Sequence, residues 1–119
     1  MIKYLLIMVF LMLPSLCCAG GWSTKDTILE AVSEGLTVVD WGQTNNIRDH
    51  SGMIELNPIL GRSPSRGAVN AYFGTWLAIH PLISYVIPSE YRTIWQSIYI
   101  GVELTAVGSN YKSGLRLSF

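Results

Sequence analysis

Charge is scarce in this sequence. Eight of its 119 residues are Lys or Arg and eight are Asp or Glu, so the formal net charge is zero and 13% of the chain is charged, against about 25% in a typical soluble domain. There is no basic excess to hold nucleic acid and no acidic tail. A water-soluble domain of this size exposes much of its area and needs charge to cover it. The shortage is what a lipid-facing surface predicts.

Cysteine and histidine are scarcer still. Cys17 and Cys18 are adjacent and no other cysteine exists to pair with them, which excludes a disulfide framework and a cysteine metal site. His50 and His80 are the two histidines. No His-Glu-x-x-His spacing occurs, and a zinc centre would have to lean on carboxylates. There is no serine nucleophile on a tight elbow, no phosphate loop and no basic-aromatic patch. The residues therefore point to no catalytic group, no metal and no cofactor.

What the chain has instead is apolar length. Gly67 to Pro88 runs 22 residues without Asp, Glu, Lys or Arg. At about 1.5 Å of rise per residue, about 20 residues cross a hydrocarbon core roughly 30 Å thick. Thr93 to Tyr111 is a second such stretch, with Glu103 its single charge. The N-terminus has the layout of a secretory signal: Lys3, then apolar Tyr4 to Leu16, then Cys17-Cys18-Ala19, with cleavage expected after Ala19. Lipid modification at Cys18 and retention as an anchor helix are the alternatives for residues 1–19.

The fold class expected is all-α: a signal or anchor helix, then a single domain over residues 20–119 with helices at about 24–47, 64–87 and 89–111. Ser23 with Asp26 three residues on forms a capping box for the first helix. Glu30 and Glu34 are read as the face of that helix away from the apolar one. Ser63-Pro64 supplies an N-cap and a first-turn proline for the second. Pro81 predicts a kink, and Pro88-Ser89-Glu90 starts the third helix with an acid at its positive end. The tail 112–119 is expected to be loosely ordered, with a faint strand-like alternation.

Charge placement gives an orientation. With the N-terminus inside, the inner segments hold Lys3, Arg48, Arg62, Arg66, Lys112 and Arg116 and the outer ones Lys25 and Arg92; six against two obeys the positive-inside rule. Tyr85, Tyr91 and Trp95 flank the outer turn, whereas Trp76 falls mid-span.

Polar residues within these stretches recur at helical spacing. Asp40, Gln43 and Thr44 share one face of the first helix, Asn70, His80 and Ser84 lie on the second, and Gln96, Tyr99, Glu103 and Asn110 stripe the third. Each is costly in lipid and needs a partner. Asp40, Gln43, Thr44, His80 and Glu103 are thus expected to gather in a buried polar cluster, with His80 touching Asp40 or Glu103. Such a cluster is either hydrogen-bonded glue between helices or a metal- or proton-handling site. In the loop, Glu55, Asn57 and Pro58 form a second motif, read as a self-capped turn or as a re-entrant loop approaching Asp40 and Gln43.

Val39-Asp40-Trp41-Gly42-Gln43-Thr44, Glu55-Leu56-Asn57-Pro58-Ile59-Leu60-Gly61 and Trp95-Gln96 through Gly101-Val102-Glu103 carry a likeness. The chain resembles small uncharacterised proteins of phages and prophage-bearing bacteria that share an Asp…Gln-Thr…Glu-x-Asn-Pro-x-Leu-Gly pattern, and broader bacterial membrane families of unknown function. The likeness spans about Leu36 to Asn110. It implies a helical membrane protein of bacterial or phage origin and assigns no catalytic residue.

The function expected is that of an exported helical membrane protein of the bacterial inner membrane with an interaction or structural role. Its partners would be the lipid bilayer and either another copy or another membrane protein. The alternatives are a membrane-embedded metal- or proton-handling site, and a soluble periplasmic bundle that binds an apolar ligand or partner.

Overall fold

The computed structural model describes residues 21–119; the expected leader at 1–19 lies outside the described residues. Three helices form: α1 (Thr24–Asn46), α2 (Arg66–Val86) and α3 (Ser89–Lys112), with a 3₁₀ turn at Ile47–Asp49. No strand occurs among the described residues, so the all-α three-helix expectation holds.

The ends of the helices follow local chemistry. Ser23 Oγ accepts from the Asp26 amide at 3.1 Å and the Asp26 carboxylate accepts from the Ser23 amide at 2.9 Å, a reciprocal cap that satisfies two orphan donors. For α2 the cap is Ser65, not the expected Ser63. Ser65 Oγ accepts from the Ala68 amide at 3.1 Å, while Pro64 is buried as part of the loop, so the first turn begins one hydroxyl later. Pro81 lies inside α2, which continues through it to Val86. α3 opens after Pro88 with Glu90 in its first turn and closes with Lys112 in its last, each charge matched to the helix dipole.

α1 and α3 run parallel, with α2 antiparallel between their ends. Asp26 meets Arg92 at the start of both helices, and Asp40 meets Asn110 towards the end of both. α1 packs its backbone most closely on α3, next on α2, while α2 and α3 meet through side chains, among them Arg92 and Trp95 on Ser84.

The tail is ordered against α1, contrary to the loose end expected. Gly114 takes φ +93°, a left-handed turn open to glycine, and the Leu115 amide donates to the Asn110 carbonyl at 3.0 Å. Leu115 is buried. The Ser118 amide then donates to the Gly42 carbonyl at 3.0 Å, seating Leu117 and Phe119 over Gly42.

Polarity is inverted relative to a water-soluble fold. Among the described residues, four hydrophobic side chains are buried (Ile47, Val69, Phe73 and Leu115) against twelve polar or charged ones. Meanwhile Ile28, Val32, Ile94, Ile98, Val102 and Leu104 are exposed. The interior is therefore held by hydrogen bonds rather than by apolar packing. Among the described residues, no helix is long and apolar enough to cross a membrane.

Candidate functional site

The α1 sequence places Asp26, Glu30, Ser33, Thr37, Asp40 and Thr44 three or four residues apart, hence along one face. α3 answers with Arg92, Gln96, Tyr99, Glu103 and Asn110. The two stripes meet in register and form a ladder of polar contacts.

The first rung joins Arg92 to Asp26. Arg92 is 1% exposed. Its Nη1 donates to Asp26 Oδ2 at 3.0 Å, its Nε to the Ser84 carbonyl at 2.6 Å and its Nη2 to the Ile87 carbonyl at 3.4 Å. One guanidinium thus ties the start of α1 to the last turn of α2 and satisfies carbonyls that the helix end leaves free. Burial pushes the Asp26 carboxyl up, but the Ser23 amide and hydroxyl and the Arg92 guanidinium outweigh it and hold the group below its ordinary value.

The second rung is built on His80, which is fully enclosed. Its Nδ1 lies 2.6 Å from Glu30 Oε1, and Gln96 Nε2 donates to Glu30 Oε2 at 2.8 Å. Its ring stands against those of Trp95 and Tyr99, with centroids 5.1 and 4.0 Å away. Glu34 Oε1 comes within 3.9 Å of His80 Nδ1 and has no hydrogen-bond partner. Glu30, Glu34 and His80 together bring three ligand-type atoms within 4.8 Å of one another.

Below that, Thr37 and Tyr99 share a hydroxyl–hydroxyl bond of 2.8 Å. Trp41 Nε1 and Asn45 Nδ2 both donate to Asn70 Oδ1, at 2.8 and 3.3 Å, which is how α2 joins this end of α1.

The third polar centre surrounds a cavity of about 470 Å³ between the helices and the 48–65 loop. Asp40, Glu55 and Glu103 line it, and among the described residues no Lys, Arg or His does. Asn110 Nδ2 and Thr44 Oγ1 donate to Asp40 Oδ1 at 2.8 and 3.3 Å. Glu103 is 8% exposed, and its Oε2 is buried without a hydrogen-bond partner. Tyr72, Phe73 and Val102 supply apolar wall.

The loop side of the cavity is a self-capped turn. Glu55 Oε1 accepts from the Asn57 amide at 2.8 Å, and Asn57 Oδ1 accepts from the Ile59 amide at 3.0 Å. The Asn57 carbonyl takes the Leu60 and Gly61 amides. Pro58 presets the turn, and Gly61 at φ +76° completes it in a conformation that disfavours a Cβ. The Glu55 amide donates to the Arg62 carbonyl at 2.9 Å and closes the neck. The turn matches the self-capped reading, and it brings Glu55 and Asn57 to the cavity that Asp40 lines but not to Gln43.

The expected cluster divides in two. Asp40, Thr44 and Glu103 do share one cavity. His80 joins neither Asp40 nor Glu103 but pairs with Glu30. Gln43 turns away from the cavity and donates to the Val107 carbonyl at 3.3 Å. Glu30, read from the sequence as lying on the opposite face, is 8% exposed and central to the ladder. Arg92, assigned to the outer segment, is buried at its head. Both were within reach of the sequence: Glu30, Ser33, Thr37 and Thr44 repeat with helical period, and Arg92 lies four residues before Gln96.

No protein-family model, curated protein or solved structure matches this chain.

Proposed function

We propose that the protein is a bilayer-embedded helical bundle with an interaction or structural role, acting through its helix faces rather than through catalysis. The observation that carries this reading is the inverted polarity. In water, burying apolar surface gains about 25 cal/mol per Å², and a soluble bundle would turn Ile94, Ile98 and Val102 inward. Here they face out and Thr37, Gln96 and Glu103 face in. Lipid reverses that preference, since polar side chains join helices there while apolar ones meet the acyl chains.

The helices have 23, 21 and 24 residues, about 31–36 Å at the usual rise, so length suffices for a crossing. Their mean apolarity is lowered by residues that face the interior, which lipid does not reach. No Asp, Glu, Lys or Arg is exposed on α1 after Lys25, on α2 after Arg66, or on α3 between Glu90 and Lys112. Arg48, Arg62, Arg66, Lys112 and Arg116 gather at one end of the bundle, and Lys25 and Arg92 at the other. This supports an orientation with the first end inside and leaves Lys25, Asp26 and Arg92 outside the crossing segments. The resemblance described above implies a bacterial or phage origin, and the bilayer proposed is the bacterial inner membrane. His80 is enclosed with Nδ1 committed to Glu30, which favours a helix-joining role for it over catalysis.

The test is extraction of membranes from cells expressing the full chain. The protein should stay in the pellet through alkaline carbonate and be released by detergent. Release into carbonate, or a monodisperse species in plain buffer, would overturn the reading.

A further inference from the structure

The cavity between Asp40, Glu55 and Glu103 has a charge problem that hydrogen bonds within the chain do not solve. Three acids line about 470 Å³, and among the described residues no Lys, Arg or His lines it. Asn110 and Thr44 donate to Asp40, both to one oxygen. The Asn57 amide donates to Glu55. Glu103, more than nine-tenths buried, has an oxygen with no partner at all. A buried carboxylate oxygen without a donor costs more than a satisfied one gains. A cationic donor entering the cavity would repair this and also relieve the repulsion between like charges.

Geometry decides which kind of cation. A single metal ion holds its oxygen ligands at about 2.0–2.6 Å, so three ligand atoms on one ion lie within about 5 Å of each other. Among the described residues, that condition is met at Glu30, Glu34 and His80 and not at Asp40, Glu55 and Glu103. The cavity's acids are too dispersed to close on one ion, so the complementary positive charge must itself be spread out. The volume falls within the range of sites for small organic molecules, about 300–1,000 Å³. Tyr72, Phe73 and Val102 also line the cavity and offer apolar and aromatic surface to a methylene chain and an ammonium.

We propose that this cavity is a binding site for an aliphatic diamine, a short methylene chain with an ammonium at each end, its charges met by Glu103 and by the Asp40–Glu55 side. Nothing in this depends on lipid, and the site is distinct from the helix-joining role proposed above.

The experiment uses the full chain in detergent micelles, or in buffer if it needs no detergent. 1,5-Diaminopentane, n-pentylamine and Mn²⁺ are titrated separately by calorimetry, with thermal unfolding in parallel. The diamine should bind and raise the melting temperature, and n-pentylamine should bind at least about tenfold more weakly, the loss expected for one charge-assisted contact. Glu103→Gln, which keeps the shape, should weaken the diamine by a similar factor. Glu55→Gln, on the loop, gives the same reading should the helical variant fail to fold. Equal binding of the two amines would overturn the proposal, as would diamine binding unchanged in both variants. No binding of the diamine would also overturn it, and so would Mn²⁺ binding that is lost in Glu103→Gln while the diamine fails to bind, which would make the cavity a metal site.

Discussion

His80 and Glu30 stand 50 positions apart in sequence and 2.6 Å apart in space, a buried contact that joins α2 to α1. The imidazole is fully enclosed and the second carboxylate oxygen is held by Gln96. Removing one member leaves the other's buried polar atom without its partner, a loss of about 1–3 kcal/mol. Glu30→Leu and His80→Leu should each lower the melting temperature in micelles. The double variant should be less damaging than the sum, because neither side chain then waits for the other. Strictly additive losses would show that the two side chains act independently.

The Asp26–Arg92 contact predicts a pH dependence of known sign. The Asp26 carboxyl is held below its ordinary 3.8 in the folded chain, so the unfolded chain binds a proton more readily. Its contribution to stability is therefore complete above that ordinary value and lost as pH falls through the lower, folded one. The melting-temperature gap between the native chain and Asp26→Asn should be widest near neutral pH and close under strong acid. A constant gap would mean that the ionised form of Asp26 is not what Arg92 binds.

Gly42 holds the tail by leaving room for it. A Cβ there would stand 2.8 Å from Phe119 Cζ and 2.9 Å from Leu117 Cδ2, closer than side chains tolerate. Those atoms belong to a chain end that can move, so Gly42→Ala should dislodge residues 115–119 rather than unfold the helices, at about 1–3 kcal/mol. Limited proteolysis should trim the tail faster in the variant. In a Leu117→Ala/Phe119→Ala background the same substitution should be silent; an equal effect there would place the clash elsewhere.

Much of the framework was legible because it is written in local chemistry. The Ser23–Asp26 box, the acid after Pro88 and the long uncharged stretches mark the helices within a residue or two, apart from the choice of Ser65 over Ser63. The α3 stripe was visible as periodicity, and of the α1 stripe its lower end at Asp40 and Thr44. Which stripe residue meets which was not, because pairing depends on the relative height of the helices. Depth counted from the helix ends set His80 against Asp40 or Glu103, whereas the bundle sets it beside Glu30. Glu30 was missed for a related reason: a carboxylate near the start of a helix reads as solvated until a buried imidazole from another helix is known to face it. The tail carries too few residues to show a period, and its fold depends on a gap at Gly42 that only the assembled bundle creates.

The pivotal position of α1 carries a consequence for biogenesis. The Glu30 carboxylate on α1 takes both His80 of α2 and Gln96 of α3. A ribosome makes α1 first, so each following helix emerges to meet a receptor already in place. The chain order is itself an assembly schedule, and a permuted gene that delivered α1 last would leave His80 and Gln96 waiting for Glu30 while synthesis ran on.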